Sequence, residues 1–490
     1  MAQLCFNGWK QKFLELIKFE ITALKQRYSQ TRKVSSVFCD KAVEAELSYL
    51  RKYFVICPID KASKNISVIC KRFYLQTLLH ECRSNSLSYR PINESVNDIC
   101  QIQKDYLKKN TKVKLEEFEI ALPHIFLFPK FHKKKFSQRF VVSYSNCSIK
   151  PVAKLLTLGL KAIYSQIVSY SNMLFKVTGI KRNWIIQNNQ PLLDCFNGYL
   201  ESERARNIQT YDFSTLYTML KHDEIKVALS SVIKLAFKHS KCKYISVYSK
   251  SFSWVNSPRE NTFRFDEASL IECISFMMDN CYFTLGGMIF QQIIGVPIGV
   301  DPGPYIANLT LWYYENKFID KLYKVDYHSA KLLKNTFRLI DDITSINSDG
   351  IFEKNIENIY PCSLKLNKEN QDDLAANVLD LDIEICEGKF IIQVFDKRDN
   401  FPFEIVQYIG EFSNISRNTY IGVFSSQIVR FFRICNNFEG FRKRVGKIVK
   451  YFIDQKFSKQ LLHNKFWYIA TKHKFADKFK EVKQLIKVFD

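Results

Sequence analysis

The sequence predicts an α+β chain built from several lobes. Short β-branched and aromatic runs of strand length recur among longer stretches with helical spacing, two of those strand-like runs end in aspartate, and the chain after Phe403 is helical in pattern and strongly basic. At 490 residues there is room for roughly two to four lobes. With 47% hydrophobic and 25% charged residues the composition is that of an ordinary globular protein. Lys and Arg number 72 against 49 acids, a formal charge of +23, which points to a polyanionic partner more than to a small acidic substrate. No apolar run approaches the ~18 residues of a spanning helix, and Met-Ala-Gln-Leu-Cys-Phe-Asn-Gly is not a signal-peptide start. A soluble, intracellular protein without a membrane partner is expected. The 14 cysteines are scattered singly, with no CxxC pair and no histidine at zinc-ligand spacing, so they read as reduced, mostly buried small hydrophobes. The 41 Phe and 25 Tyr serve a core first, and can also stack on bases.

Residues 1 to about 50 place Phe13, Leu14, Leu16, Ile17, Phe19, Ile21 and Leu24 at helical spacing among basic residues, an amphipathic start expected to pack on the main body. From Tyr53, Phe-Val-Ile-Cys-Pro-Ile-Asp60-Lys61-Ala-Ser-Lys64-Asn-Ile-Ser-Val-Ile-Cys reads as two strands joined by a lysine-bearing turn, suited to phosphate or simply to solvent. A second basic strand pair spans Ile125 to Val142, where Lys130, His132, Lys133, Lys134, Lys135 and Arg139 alternate with aromatics. That arrangement favours a nucleic-acid backbone or a triphosphate, since Arg grips phosphate bidentately and Lys acts as a point charge.

The first acidic strand is Gln-Thr-Tyr-Asp212-Phe-Ser-Thr-Leu-Tyr217. After it, Lys243 to Phe265 reads as an insertion of strands and loops, and Glu267 to Cys281 as an amphipathic helix. A Gly286-Gly287 hairpin then leads into Gln291-Gln292-Ile-Ile-Gly295-Val-Pro297-Ile-Gly299-Val-Asp-Pro302-Gly303-Pro304 and a helix from about Pro304 to Tyr323. Five glycines and three prolines within 19 residues mark a close backbone approach, with a base pair or sugar as the natural candidate. The second acidic run is Thr-Phe-Arg-Leu-Ile-Asp341-Asp342-Ile-Thr-Ser-Ile. An apolar hairpin does not carry two adjacent unpaired acids without metal or cationic partners. Together with Asp212 they could hold two divalent ions about 4 Å apart, the clamp for in-line nucleotidyl transfer. A short helix from Phe352 to Tyr360, a strand from Ser363 to Lys368 and a hairpin turning at Glu387-Gly388 follow. The basic helical end carries Arg430, Arg433, Arg442, Lys443, Arg444, Lys447 and Lys450, read as a lobe lying against a duplex.

In this order the segments resemble the reverse transcriptase family, from about Tyr53 to Cys435, and within it look most like the Penelope-like retroelement enzymes, relatives of telomerase. The resemblance is carried by Cys57-Pro-Ile-Asp60-Lys61, Pro129-Lys130-Phe-His132-Lys133, Asp212-Phe-Ser-Thr-Leu-Tyr217, Gly295-Val-Pro297-Ile-Gly299, Ile340-Asp341-Asp342, and Ser413-Asn414-Ile415 through Tyr420 to Arg430. It implies a right-hand polymerase fold. Fingers (51–200), a palm with inserted finger elements (201–402) and a helical basic thumb (403–490) would follow an N-terminal basic helical segment (1–50). It implies an RNA-directed DNA polymerase, retroelement-encoded or domesticated, that adds deoxynucleoside triphosphates to a DNA primer on an RNA template and holds the RNA–DNA duplex.

In that reading Asp212, Asp341 and Asp342 are the catalytic metal ligands for two Mg²⁺ ions, with Mn²⁺ as a substitute. Tyr217 is the gate against a 2′-hydroxyl, and Lys61, Lys130 and Arg139 hold the triphosphate. Gln292 and Gly299 shape the nucleotide and template pocket, and either Lys365 or Lys368 protonates pyrophosphate. Leu339 departs from the aromatic that the family commonly has there, although telomerases tolerate leucine. The GIY-YIG nuclease of most Penelope-like enzymes is not found, since the Tyr-Ile-Gly runs at Tyr408 and Tyr420 have no upstream Gly-Ile-Tyr. Primer ends, or a separate nuclease, are therefore expected from elsewhere, in the nucleus. Two other readings stand beside this one: an RNA-dependent RNA polymerase, expected to carry a small or hydrogen-bonding residue at the Tyr217 position, and a nucleic-acid-binding protein whose polymerase site has decayed.

Overall fold

The computed structural model describes residues 11–22, 41–85, 87–110, 121–133, 135–202, 204–214, 216–257, 262–297, 299–408, 410, 413 and 415–489. Leu24, Lys134, Ile298 and Asn414, which the sequence reading used, lie outside them. The chain forms two compact units, one of Met1–Ile56 with Val68–Tyr74 and one of Cys57–Ser67 with Leu75–Asp490. In the first, residues 11–22 are helical as their spacing predicts, and a second helix spans Lys41–Tyr53.

The lysine-bearing turn joins β1 (Phe54–Ile59) and β2 (Ala62–Cys70), with Lys61 at a φ of 66°. A five-stranded sheet brings together distant segments: β3 (Tyr89–Ile92), β4 (His124–Pro129) and β5 (Gln138–Ser143) join the Gly-Gly hairpin. β6 (Ile208–Phe213) is the first acidic strand. The expected insertion is a three-stranded antiparallel sheet of β7 (Tyr244–Val247), β8 (Phe252–Val255) and β9 (Phe263–Phe265). Next come β10 (Tyr282–Leu285) and β11 (Met288–Gln292), then the helix Gly303–Val325, which has proline in its first turn. The second acidic run is the hairpin of β12 (Thr336–Leu339) and β13 (Asp342–Ile346). It joins β6 and β14 (Leu366–Lys368) in an antiparallel sheet ordered β12-β13-β6-β14. The remaining sheet is β15 (Ala375–Val378), β16 (Leu381–Cys386) and β17 (Lys389–Val394), whose last turn has Glu387 and Gly388 at φ of 52° and 78°, the mirror-image geometry two-residue hairpins favour.

One face of β6 is apolar and packs on helices: Tyr211 and the short helix Ile351–Ile359 meet through Phe352, and Phe213 meets Tyr360 edge to face. Because side chains alternate along a strand, Asp212 is left on the other face. The helices Arg417–Ile434, Phe438–Asp454 and Lys459–Lys472 share one apolar core with β15–β17, the helix Gln190–Ser202 and the ends of the β6 sheet. The basic end is therefore packed onto the sheets rather than tethered beside them. The turn between β1 and β2 reaches the segment just before that end. Asn65 accepts the Val406 N–H at 2.8 Å and donates to its carbonyl at 3.2 Å, while Lys64 donates to the Gln407 carbonyl at 3.2 Å. Among the described residues no helix is long and apolar enough to cross a membrane.

Candidate active site

Strand register assembles the three acids. Asp342 opens β13, pairing with Leu339 on one side and with Asp212 on the other. Directly opposed residues point to the same face, so Asp212 and Asp342 are side by side. Ile340 and Asp341 form the two-residue turn, with Ile340 at a φ of 58°, a conformation costly for a β-branched residue. Carboxylate oxygens of Asp212, Asp341 and Asp342 all lie within 4.8 Å of one another, half-buried. Burial, and then the other acids, push the Asp342 carboxyl up to about 6 and raise that of Asp212 as well. Carboxylates this crowded repel each other, and a divalent cation relieves both the repulsion and the desolvation. The donor set, all hard oxygens, fits Mg²⁺ or Mn²⁺.

The acids lie in a cleft of about 1350 Å³ also lined by Asp60, Lys61, Lys130, His132, Lys133, Arg139, Tyr217, Gln292, Gly299, Glu369 and Lys397. The structure thus brings Lys61, Lys130 and Arg139 together as one basic wall. Burial, then Arg139, lowers the Lys130 amino group. Asp60 is buried within this wall, its Oδ1 3.5 Å from the Arg139 guanidinium. Tyr217, half-buried, has its hydroxyl pushed up to about 12 by burial and by Asp341. Its carbonyl accepts the Val296 N–H at 2.9 Å, which ties it to the glycine-rich loop.

Two expectations need correction. The close approaches in the glycine-rich loop are to the protein's own backbone: a Cβ on Gly295 would lie 2.3 Å from the Tyr217 carbonyl oxygen, and one on Gly299 2.3 Å from that of Val142. Gln292, buried, donates its amide to the Ile294 carbonyl at 3.0 Å, bracing the same loop at the cleft wall. Neither Lys365 nor Lys368 lines the cleft. Lys368 pairs in register with Tyr211, hence on the face away from Asp212, and its amino group is held by Glu353 at 3.2 Å and Asp373 at 3.0 Å.

A cleft lysine that the sequence reading did not name, Lys397, opposes the rise at both Asp212 and Asp342, and Lys133 also opposes it at Asp212. Lys397 opens the turn Lys397–Asn400, braced on either side by the Arg398–Asp396 pair at 2.7 Å and by Arg444 on Asp399, also at 2.7 Å. In sequence, Asp-Lys-Arg-Asp after a strand reads as a solvated charge run, and only the backbone path brings it to the site. Glu369, a further acid felt by Asp212 and Asp342, carried no sequence signal either.

No protein-family model and no curated protein sequence matches the chain. Among solved structures it is similar to telomerase from Candida albicans in complex with a TWJ fragment of telomeric RNA, at 11% identity and a TM-score of 0.60, over 90% of this chain and 71% of that one. Looser similarities are to telomerase from Candida tropicalis in complex with a TWJ fragment of telomeric RNA (12% identity, TM-score 0.49, 90% of this chain and 66% of that one) and to the apo form (12%, 0.46, 90% and 69%). At 11% identity the first likeness is one of fold, and the chain has the right-hand polymerase fold.

Proposed function

We propose that the chain is a template-directed nucleotidyltransferase, an RNA-directed DNA polymerase that extends a primer 3′ end with deoxynucleotides. One observation carries the reading: Asp212, Asp341 and Asp342 converge in a single cleft that also holds the basic wall of Lys61, Lys130, Lys133 and Arg139. Divalent ions held by the three carboxylates would polarise the phosphate and stabilise charge on the attacking and leaving oxygens.

The remaining work falls to the chain's own residues. Lys61, Lys130 and Arg139 bind triphosphate oxygens, Arg139 oriented by Asp60. Tyr217, beside Asp341, blocks the space of a 2′-hydroxyl and favours deoxynucleotides. Gln292 and Gly299 shape the pocket from the loop. Lys397, in the cleft with the acids, protonates departing pyrophosphate, the role the resemblance implied for Lys365 or Lys368. In the same reading the enzyme is Penelope-like, acts in the nucleus on an RNA template, and uses 3′ ends from breaks, chromosome termini or a separate nuclease. Its fingers, palm and thumb divide near residues 200 and 402.

The test is primer extension on an RNA template with Mg²⁺. Wild type is expected to add deoxynucleotides, and Asp212→Ala or Asp341→Ala to lose at least about a thousandfold in rate while staying folded. Extension with ribonucleotides alone would mark an RNA-dependent RNA polymerase. Duplex binding with no extension under any metal would mark a decayed enzyme, and extension retained by folded Asp341→Ala would remove the carboxylates from the chemistry.

A further inference from the structure

Arg338 lies on β12, three residues before Asp341, and is fully buried. A guanidinium taken out of water is tolerated only when its donors are satisfied. All five N–H groups of Arg338 find acceptors. Nε donates to Glu315 Oε1 at 2.5 Å and Nη2 to Glu315 Oε2 at 3.1 Å, a bidentate pair in which Glu315 is also fully buried. Nη1 donates to Asn308 Oδ1 at 2.7 Å, and Nη2 to the Asn308 carbonyl at 3.1 Å. The fifth bond runs from Nη1 to the Ile340 carbonyl at 3.2 Å. Glu315 Oε1 also accepts the Tyr360 hydroxyl at 2.9 Å, so the carboxylate is anchored from a second element.

The bond to Ile340 links this network to the site. That carbonyl belongs to the peptide joining Ile340 to Asp341, and rotation about it moves the Asp341 carboxylate. Ile340 is held at a φ of 58°, and such conformations persist where the surroundings over-determine them. Asn308 and Glu315 stand on the helix Gly303–Val325, which starts at the end of the glycine-rich loop. Arg338 does not line the cleft, and its hydrogen-bonded route to the acids is the bond to the Ile340 carbonyl in the turn. Stability alone does not call for the pair, because exchanging buried ion pairs for apolar residues of similar volume is often neutral or stabilising.

We propose that the buried Arg338–Glu315 pair is a positioning device. Anchored on the helix, it holds the Ile340–Asp341 peptide and thereby sets where Asp341 and Asp342 present their oxygens to a divalent cation. The proposal rests on reading the three acids as a metal site.

Two variants test it. Arg338→Lys keeps a charge for Glu315 but lacks the fork that reaches Asn308 and Ile340 at once. The double variant Arg338→Met with Glu315→Leu removes both charges together. Free Mn²⁺ is followed by electron paramagnetic resonance as each protein is titrated without nucleic acid, alongside thermal melting and single-nucleotide extension. Both variants are expected to fold, with Mn²⁺ affinity lower by about tenfold or more, the scale seen when groups that orient metal ligands are removed. The maximal extension rate should fall while half-saturation by nucleotide changes less than about twofold, as when only the transition-state geometry is disturbed. Unchanged Mn²⁺ affinity in either folded variant overturns the proposal. So does loss of fold in both, which would assign the pair to stability. A wild type that binds Mn²⁺ but extends no primer refutes the polymerase reading and leaves the Mn²⁺ comparison to decide the role of Arg338.

Discussion

Asp342 carries the largest resolved perturbation of the three acids, its carboxyl pushed from the ordinary 3.8 up to about 6 by burial and then by Asp341. A raised carboxyl favours the protonated form of the folded protein. Its contribution to stability is therefore fully present below about pH 4 and is lost as pH rises through about 6. Metal-free Asp342→Asn protein is expected to melt a few degrees above wild type at pH 7, on the order of 2 kcal/mol after allowance for partial solvent contact, and to show no advantage at pH 4. Mg²⁺ should stabilise wild type at pH 7 and do little at pH 4; differential scanning calorimetry at the two pH values reads both effects. Tyr217 makes a second residue-level forecast. If its ring blocks the 2′-hydroxyl, Tyr217→Ala should raise ribonucleotide use relative to deoxynucleotide by about a hundredfold, a sterically relieved transition state worth roughly 2–3 kcal/mol. Unchanged discrimination in folded protein would return Tyr217 to the core.

Among the elements, the β12–β13 hairpin and the glycine-rich loop were both visible as strand and turn signals, yet what they touch was not. The two-residue turn at Ile340-Asp341 follows from the apolar runs on either side, whereas the partner strand β6 lies more than a hundred residues upstream and register alone sets Asp342 beside Asp212. In the loop, glycine counts announced a close approach but not its object. Gly295 has a φ of 89° and sits against the Tyr217 carbonyl. Gly295→Ala should cost at least about 2 kcal/mol in urea unfolding, from the left-handed backbone and the contact together. Because the displaced atoms belong to Tyr217, the same variant should loosen sugar discrimination; unaltered discrimination in a destabilised protein would detach the loop from the gate.

On the scale of the whole molecule, the net charge of +23 does not say which basic side chains are free to meet phosphate, and several of those in the C-terminal helices are engaged by acids. Arg430 is paired with Asp380, Arg442 with Glu439, and both Arg444 and Lys447 with Asp399. Lys443 and Lys450 are exposed, seven residues apart on one face of the helix Phe438–Asp454, and form no ion pair among the described residues. They are the better candidates for phosphate contacts. Lys443→Glu with Lys450→Glu should weaken RNA–DNA duplex binding and reduce the log–log salt slope by about 2. Truncation before Phe403 is a poorer test, because it would strip helices from a shared apolar core and expose it. An unchanged salt slope would direct the search for the duplex to another face.

Local chemistry was legible in the sequence: the strand-ending acids, the basic hairpins, the proline-led helix and the amphipathic basic end each declare themselves within a few residues, because propensity, turn preference and hydrophobic period act over that range. Tertiary structure decided which of these meet. The face on which Lys368 of β14 lies, the arrival of Lys397 at the acids, the approach of glycine to backbone and the burial of Arg338 against Glu315 all depend on register and packing between segments far apart in the chain. A one-residue shift in pairing would reverse every side chain on a strand, and no local pattern around Lys368 or Lys397 records that choice.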